Sequence, residues 1–124
     1  MLPKCVKNLL GFQEQIIYWA AVDEQGILLG TIGLYTCPWD SNEAVWMAFF
    51  CVDPKSRRQG IGRRLIEYAV EQARIRNYRY FRLYTTTVHN ELASHYLYKE
   101  YGFKITRVMN FLVFKMLYMQ LDLY

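Results

Sequence analysis

The chain has too few cysteines for a disulfide framework and no apolar run long enough to span a membrane. Its three cysteines, Cys5, Cys37 and Cys51, are odd in number and lack the spacing of metal ligands, so neither a cystine scaffold nor a zinc site is expected. A membrane helix needs about 20 apolar residues, and Lys115 interrupts the C-terminal apolar stretch. The first residues lack the apolar core of a signal peptide. A reducing, cytoplasmic location is the corresponding prediction.

Low-complexity segments and internal repeats are also missing. Hydrophobic residues make up 53% and aromatic residues 17% of the 124 residues, which predicts one globular domain over residues 1–124. A chain of this length buries about two-thirds of its unfolded surface and folds without disulfides or metals. The net charge of +4 suits an anionic ligand but is too small to require nucleic acid.

Three strands are predicted in the first half of the chain. Residues 16–22 and 27–37 are rich in β-branched and aromatic side chains, and an acidic turn ending in Gly26 joins them, which predicts a hairpin. Residues 44–52 form a nearly continuous apolar run, the pattern of a strand that is covered on both faces.

Two helices and three strands are predicted in the second half. Apolar residues recur every fourth position from Ile61 to Ala73, which predicts a helix with one buried face, ended by Asn77 in a left-handed conformation. A strand follows over residues 80–87, and the helix that crosses between it and residues 44–52 implies that the two strands are parallel.

The remaining predicted elements complete an α+β fold. A second helix over residues 90–101 begins at Asn90 as a cap and ends at Gly102. Residues 103–109 and 111–123 predict two final strands. The expected architecture is a central mixed twisted sheet with helices on both of its faces.

The segment Arg57-Arg58-Gln59-Gly60-Ile61-Gly62 lies between the central strand and the first helix. Glycines at positions 60 and 62 allow a backbone to approach a ligand closely. The first N–H groups of a helix have no helical partner and lie at the positive end of its dipole, so they stabilise an anion. This context predicts a phosphate-binding loop.

Two familiar phosphate loops do not fit this segment. A Walker A loop needs Lys-Ser or Lys-Thr after its last glycine, where this chain has Arg63-Arg64. A dinucleotide fingerprint needs a third glycine, where this chain has Leu65.

The segment instead resembles the Q/R-x-x-G-x-G/A element of the GNAT superfamily of acetyl-CoA-dependent N-acetyltransferases. Arg57, Gly60 and Gly62 match it, and the Val52-Asp53-Pro54 that commonly leads into it precedes them. Downstream, Leu97-Tyr98-Lys99-Glu100-Tyr101-Gly102-Phe103 is similar to the family's L-Y-x-x-x-G-F element. The resemblance covers about residues 16–123 and implies the GNAT fold with a shortened N-terminal part.

The resemblance implies acetyl-CoA as the co-substrate and no metal. Its pyrophosphate is expected on the loop and first helical turn, at Arg57, Arg58, Gln59, Gly60, Ile61, Gly62 and Arg63. Its pantetheine arm is expected along Phe50, Cys51 and Val52, where the third strand and the strand at Tyr80 separate. A contact from Asn90 is a further candidate, although helix capping explains that residue equally well. Cys51 itself is expected to be a buried small residue rather than a nucleophile.

The resemblance assigns Tyr98 as the acid that protonates the departing thiolate. The family's glutamate base stands four residues before the valine of V-x-P, and here that position is Ala48. Three substitutes stay open: an ordered water chain, Glu43 and His89. The acceptor is expected to be a small-molecule or peptide amine.

Two other functions stay open. One is a non-catalytic CoA-binding or regulatory module, favoured by Ala48 and by the short N-terminal part. The other is nucleic-acid binding through basic residues, namely Lys55, Arg57, Arg58, Arg63, Arg64, Arg74, Arg76, Arg79 and Arg82. A homodimer is predicted on a C-terminal apolar surface formed by Phe111, Leu112, Phe114, Leu117, Tyr118 and Leu121.

Overall fold

The computed structural model describes residues 16–57, 59–88 and 92–124. Within those ranges the strands are β1 (Ile17–Val22), β2 (Leu28–Tyr35), β3 (Ala44–Val52), β4 (Tyr80–Thr86), β5 (Lys104–Asn110) and β6 (Lys115–Asp122). The α-helices are α1 (Ile61–Ile75) and α2 (Leu92–Tyr101), and a single 3-10 turn spans Pro54–Ser56.

The strands form one mixed sheet in the order β1-β2-β3-β4-β6-β5. The pair β3 and β4 is parallel, as the crossover through α1 predicts. The other neighbouring pairs are antiparallel. The segment β3–α1–β4 therefore supplies the parallel centre of the sheet, and the hairpins β1–β2 and β5–β6 extend it on either side.

Both described helices pack on the same face of the sheet. Along each strand the residues that face α1 and α2 alternate with residues that face the other way, as the pleat requires. Ile32 and Leu34 on β2, Val45 and Met47 on β3, Phe81 and Leu83 on β4, and Met119 on β6 form the strand side of the core. The helix side consists of Leu65, Ile66, Ala69, Val70, Ala73 and Tyr98.

The predicted mixed sheet and its helix order are confirmed. No helix among the described residues packs on the second face, where the expectation of helices on both faces places one, and residues 1–15 lie outside the described ranges. Asn77 ends α1 in the left-handed conformation with φ of 62°, as predicted. The last strand starts at Lys115 and not at residue 111, because residues 111–114 form the β5–β6 turn, in which the Phe111 N–H donates to the Phe114 carbonyl at 2.9 Å.

The second face of the sheet carries aromatic rings and a buried polar cluster. Its rings run across four strands, with Tyr35, Trp46, Tyr118 and Tyr84 in successive contact at centroid distances of 6.2–6.4 Å. The Asp40 carboxylate is buried and accepts hydrogen bonds from Arg82 at 2.7 Å and from the Trp46 indole at 2.9 Å. Because a buried charge without a partner is costly, this cluster fixes the loop before β3 against β4.

Candidate cofactor site and active site

The strands β3 and β4 pair over only three residues and then separate. Ala44, Val45 and Trp46 pair with Tyr80, Phe81 and Arg82. Beyond Trp46, β3 pairs only with β2, and beyond Arg82, β4 pairs only with β6. The separation opens a wedge between the two central strands, and the β3 edge there presents backbone groups without a neighbouring strand. The predicted separation at these strands is therefore present.

A β-bulge shapes the β3 side of the wedge. Gly33 pairs with Ala48 and Thr31 pairs with Cys51, so that Phe49 and Phe50 both stand opposite Ile32. Phe49 has a φ of 47°, and its carbonyl accepts a hydrogen bond from the Thr31 hydroxyl at 2.9 Å. Ala48 faces the second side of the sheet by regular alternation, and the bulge keeps Phe49 on that side and returns Phe50 to the helix face.

The wedge leads to the N-terminus of α1. Gly60 is the N-cap residue with φ of 76°, and no acidic residue lies in the first turn. The Arg64 N–H donates to the Gly60 carbonyl at 3.1 Å, so the N–H groups of Ile61, Gly62 and Arg63 have no helical partner. A Cβ at Gly60 would meet no heavy atom within 4 Å. This end of the helix is therefore open to an anion.

The loop between β3 and α1 is held by Asp53. Its N–H donates to the Leu29 carbonyl at 2.8 Å, and its carbonyl accepts from the Ser56 N–H at 2.8 Å. Its side chain accepts from the Lys55 N–H at 3.3 Å. Pro54 follows at the first position of the 3-10 turn. These bonds fix the direction in which the chain enters α1.

The two glycines of the loop differ in their surroundings. A Cβ at Gly62 would lie 3.0 Å from Cδ1 of Leu97 and 3.2 Å from Cζ of Phe50. Gly62 is therefore required for packing α1 against α2 and β3, whereas Gly60 keeps the ligand side open. The interpretation that both glycines keep side chains away from a ligand is wrong for Gly62, because its Cα faces the protein interior.

The three strand residues expected along the pantetheine arm point in two directions. Phe50 and Val52 pack against the core on the helix face, so only their backbone is available at the β3 edge. Cys51 is exposed and is a free thiol. The expectation of a buried Cys51 is wrong, because the register past the bulge turns its side chain outward.

Tyr98 lies in the last turn of α2, beside the wedge. Its side chain is 6% exposed, and its ring lies 6.0 Å from the rings of both Phe50 and Phe103. Its carbonyl accepts the N–H groups of Gly102 at 3.2 Å and Phe103 at 2.9 Å, which ends the helix. Packing against Phe50 thus fixes the predicted acid next to the β3 bulge.

Three polar side chains on either side of Gly60 are accessible to solvent. Arg57, Gln59 and Arg63 are exposed. Arg63 lies 3.4 Å from Glu67 and 3.7 Å from Glu100, and these exposed ion pairs contribute little stability. The predicted ligand contacts of Arg58 and Asn90 fall outside the described residues, as does the candidate base His89.

Glu43, the base candidate before β3, lies far from Ala48, the position of the family's glutamate base. Ala48 is 5% exposed and faces the second side of the sheet at the bulge. Glu43 precedes β3, where its carboxylate lies 3.6 Å from Arg82 and its carbonyl accepts the N–H groups of Arg79 and Tyr80. Five residues of strand separate it from Ala48, about 17 Å at 3.3 Å per residue. Glu43 therefore lies at the closed end of the β3–β4 pair.

Comparison with known proteins agrees with this geometry. The acetyltransferase (GNAT) domain family matches residues 14–105 of the chain. The chain belongs to the GNAT acetyltransferase family. No curated protein sequence matches it. The acetyltransferase has the family fold, a mixed sheet with the wedge and the glycine-containing helix start in their expected places.

Solved structures share the fold of the acetyltransferase at low sequence identity. A protein from Desulfovibrio desulfuricans assigned to the GNAT family superposes with a TM-score of 0.79 at 16% identity, over 88% of this chain and 70% of its own. An Elizabethkingia anophelis GNAT acetyltransferase with bound acetyl-CoA gives 0.76 at 21%, covering 97% and 82%. An aminoglycoside 6'-N-acetyltransferase in complex with coenzyme A gives 0.76 at 20%, covering 98% and 79%.

The described part of the acetyltransferase contains neither a metal-binding group nor a membrane-spanning helix. Among the described residues, no group of three histidine, cysteine or acidic side chains is arranged to hold a metal ion. No helix in the described ranges is long and apolar enough to cross a bilayer. The sequence pointed to Gly60 and Tyr98, but it gave no signal for the bulge at Phe49, which no turn-forming residue marks.

Proposed function

We propose that the acetyltransferase transfers an acetyl group from acetyl-CoA to a primary amine by direct attack of the amine on the thioester. The open N-terminus of α1 beside the β3–β4 wedge supports this proposal most strongly. The diphosphate would accept hydrogen bonds from the N–H groups of Ile61, Gly62 and Arg63. The pantetheine arm would then follow the unpaired β3 edge from Val52 back to Phe50.

The bulge at Phe49 would place the thioester. A β3 N–H that faces the wedge can donate to the thioester oxygen as negative charge builds on it, without reorganisation at the moment of attack. Arg57, Gln59 and Arg63 would add contacts to the phosphates from the exposed side. Arg58 and Asn90 complete the proposed set from the sequence. The buried rings on the helix face hold the backbone of this edge in place.

The amine nitrogen must lose two protons in the reaction, and the thiolate must gain one. An alkylamine with pKa of about 10.4 is neutral in about one molecule in 2,500 at pH 7, which corresponds to a barrier of about 4.6 kcal/mol. Because Ala48 cannot accept that proton, we assign its removal to water in the wedge. The C–N bond then forms and the nitrogen loses its second proton to water. The C–S bond breaks as the Tyr98 hydroxyl donates its proton to the thiolate, and water reprotonates Tyr98.

A non-catalytic coenzyme A module is the alternative, and Ala48 is the observation that favours it. Thiol release from acetyl-CoA, measured with n-butylamine, spermidine, tobramycin and a lysine-containing peptide, distinguishes the two functions. Turnover of any of these amines supports the transferase. Tight binding of acetyl-CoA with no thiol release from any of them supports the module.

Acetyl-CoA is expected to stabilise the protein. At one hundred times its dissociation constant the added stability is about 2.7 kcal/mol, because the ligand binds only the folded state. A thermal melt with and without acetyl-CoA measures this effect. Pantetheine, which lacks the nucleotide and its diphosphate, serves as the matched control and should shift the melting temperature little. An equal shift from both compounds would contradict binding of the diphosphate at α1.

We also propose a homodimer that uses the β5–β6 hairpin. The predicted C-terminal surface is not a single free surface, because Leu121 packs against the core and Tyr118 contacts the rings of Trp46 and Tyr84 on the other face of the sheet. Leu112 and Val113 at the turn of the hairpin are exposed, as are Ile105 and Val108 on the edge strand β5. An exposed edge strand with apolar side chains favours pairing with a second chain. Sedimentation at micromolar concentration should give about twice the chain mass of 14.9 kDa. A species of the chain mass alone would contradict the dimer.

The setting proposed for the enzyme is a reducing cytoplasm, without nucleic acid or membrane partners. The described residue Cys51 is a free thiol, which such a compartment maintains. Among the arginines considered for nucleic acid, Arg82 is engaged with Asp40 and Arg76 with Gln72. Those two side chains are therefore poorly placed to neutralise phosphates.

A further inference from the structure

Three residues form a row across the second face of the sheet at the bulge. Tyr18 on β1 pairs with Gly33 on β2, and Gly33 pairs with Ala48 on β3. Residues in one such row point to the same face of a sheet. Gly33 therefore has no side chain and Ala48, nearest the wedge, has only a methyl group, while Tyr18 at the outer end of the row has a phenol.

The Tyr18 ring lies over Gly33. A Cβ at Gly33 would stand 2.9 Å from Cδ1 and 3.3 Å from Cε1 of Tyr18. The ring also contacts the Phe49 ring at a centroid distance of 5.7 Å. Since Phe49 belongs to β3, the phenol extends from β1 across β2 toward the bulge. Any side chain at position 33 would prevent this orientation.

The Tyr18 hydroxyl is buried and has no hydrogen-bond partner among the described residues. A buried hydroxyl without a partner costs about 1–3 kcal/mol, so such groups are rare in folded proteins and call for an explanation. Burial also raises the pKa of Tyr18 above the ordinary 10.0. The group is therefore a neutral phenol at physiological pH, and its oxygen can accept a hydrogen bond.

We propose that the Tyr18 hydroxyl binds the acceptor amine, accepting a hydrogen bond from its N–H at the bulge. This inference rests on the proposed acetyl transfer. Ala48 carries only a methyl group in the same row, and the contact of the Tyr18 ring with the Phe49 ring places the phenol at the bulge that borders the wedge. The amine gains a partner that orients its lone pair toward the thioester carbon.

The chemistry of the step needs no further reactant. The neutral amine keeps one N–H in a hydrogen bond to Tyr18 while its lone pair forms the C–N bond. The surplus proton of the resulting ammonium passes to water, and the C–S bond breaks with Tyr98 protonating the sulfur. Tyr18 keeps its own proton throughout, as its raised pKa requires.

Tyr18→Phe tests the proposal by kinetics. The variant keeps the ring contacts and removes only the hydroxyl, so we expect the KM for the amine to rise about tenfold, the loss of one hydrogen bond. The KM for acetyl-CoA should not change. The melting temperature of the free protein should stay equal or rise, since a buried hydroxyl without a partner is removed. Tyr68→Phe, on the exposed side of α1, is the matched control and should leave both KM values unchanged.

A binding measurement covers the case in which none of the four amines is turned over. With coenzyme A bound, n-butylamine is titrated against protein carrying 13C at the tyrosine ζ position, where the Tyr18 signal is identified by its absence in Tyr18→Phe. We expect that signal to shift and saturate, and tetraethylammonium, which has no N–H at any pH, to shift it less than n-butylamine does.

The outcomes separate two failures. If acetyl-CoA does not stabilise the protein, the proposed function fails. If acetyl-CoA binds but the Tyr18 signal does not respond to n-butylamine, or if Tyr18→Phe leaves the KM of a transferred amine unchanged, the role of Tyr18 is overturned and the proposed function stands. A lower melting temperature of Tyr18→Phe with an unchanged KM assigns the residue to packing alone.

Discussion

Gly60→Asp is expected to weaken acetyl-CoA binding about a hundredfold while the protein stays folded. A carboxylate at the N-cap would accept the N–H groups of the first turn of α1 and would repel the diphosphate. Losing two charge-assisted hydrogen bonds of about 1.5 kcal/mol each amounts to about 3 kcal/mol. Because a Cβ at Gly60 meets no atom within 4 Å, the substitution fits sterically. Titration calorimetry with acetyl-CoA measures the loss.

Gly26→Asp is the matched control for this variant. Gly26 also has a positive φ, 80°, and also has open space around its Cβ position, but it lies in the β1–β2 turn. Both variants carry a similar backbone cost, about 1–2 kcal/mol for a side chain in the left-handed region. Only Gly60→Asp should have a lower affinity for acetyl-CoA. Equal affinities for the two variants would show that the diphosphate is bound elsewhere.

Tyr98→Phe is expected to lower turnover by at least about a hundredfold and to leave acetyl-CoA binding unchanged. Protonation of a leaving group by a positioned acid contributes roughly 100- to 10,000-fold. The Phe ring keeps the contacts with Phe50 and Phe103 at 6.0 Å, so the site should retain its shape. Thiol release under saturating acetyl-CoA gives the turnover, and the thermal shift gives the binding.

Tyr101→Phe is the control that distinguishes the loss of the catalytic acid from a general effect of removing a phenol hydroxyl from α2. Tyr101 lies in the same helix and packs partly buried against the core, and burial raises its pKa. We expect its turnover to stay close to that of the unaltered protein. Should Tyr98→Phe also retain full turnover with acetyl-CoA bound, the thiolate takes its proton from another source and the assignment of Tyr98 is wrong.

Much of the fold could be predicted because its signals are local. The continuous apolar run of β3 gave the bounds Ala44–Val52 as the structure has them. Asn77 tolerates a positive φ better than most residues do, so it marked the end of α1. The β5–β6 turn was predicted at residue 110 and lies at residues 111–114, because Leu112 and Val113 form it, and an apolar run without glycine, proline or asparagine is interpreted as continuous strand.

The site was predictable in its loop and less so in its details. The glycine spacing marked the helix start at which we propose that the diphosphate binds, but the sequence could not separate Gly60, which faces open space, from Gly62, which faces Leu97 and Phe50. That difference depends on how α1 packs against α2. The outward side chain of Cys51 and the reach of Tyr18 over Gly33 both follow from the register at the bulge. Register between distant strands is set by tertiary packing, which no local pattern reveals.

A crystal structure of the protein with coenzyme A tests the central claim most directly. The account predicts diphosphate oxygens within about 3 Å of the backbone nitrogens of Ile61, Gly62 and Arg63, with the pantetheine arm along the β3 edge in the wedge. A fully occupied coenzyme A whose diphosphate lies away from the start of α1 would contradict it, and so would an empty wedge at a saturating concentration.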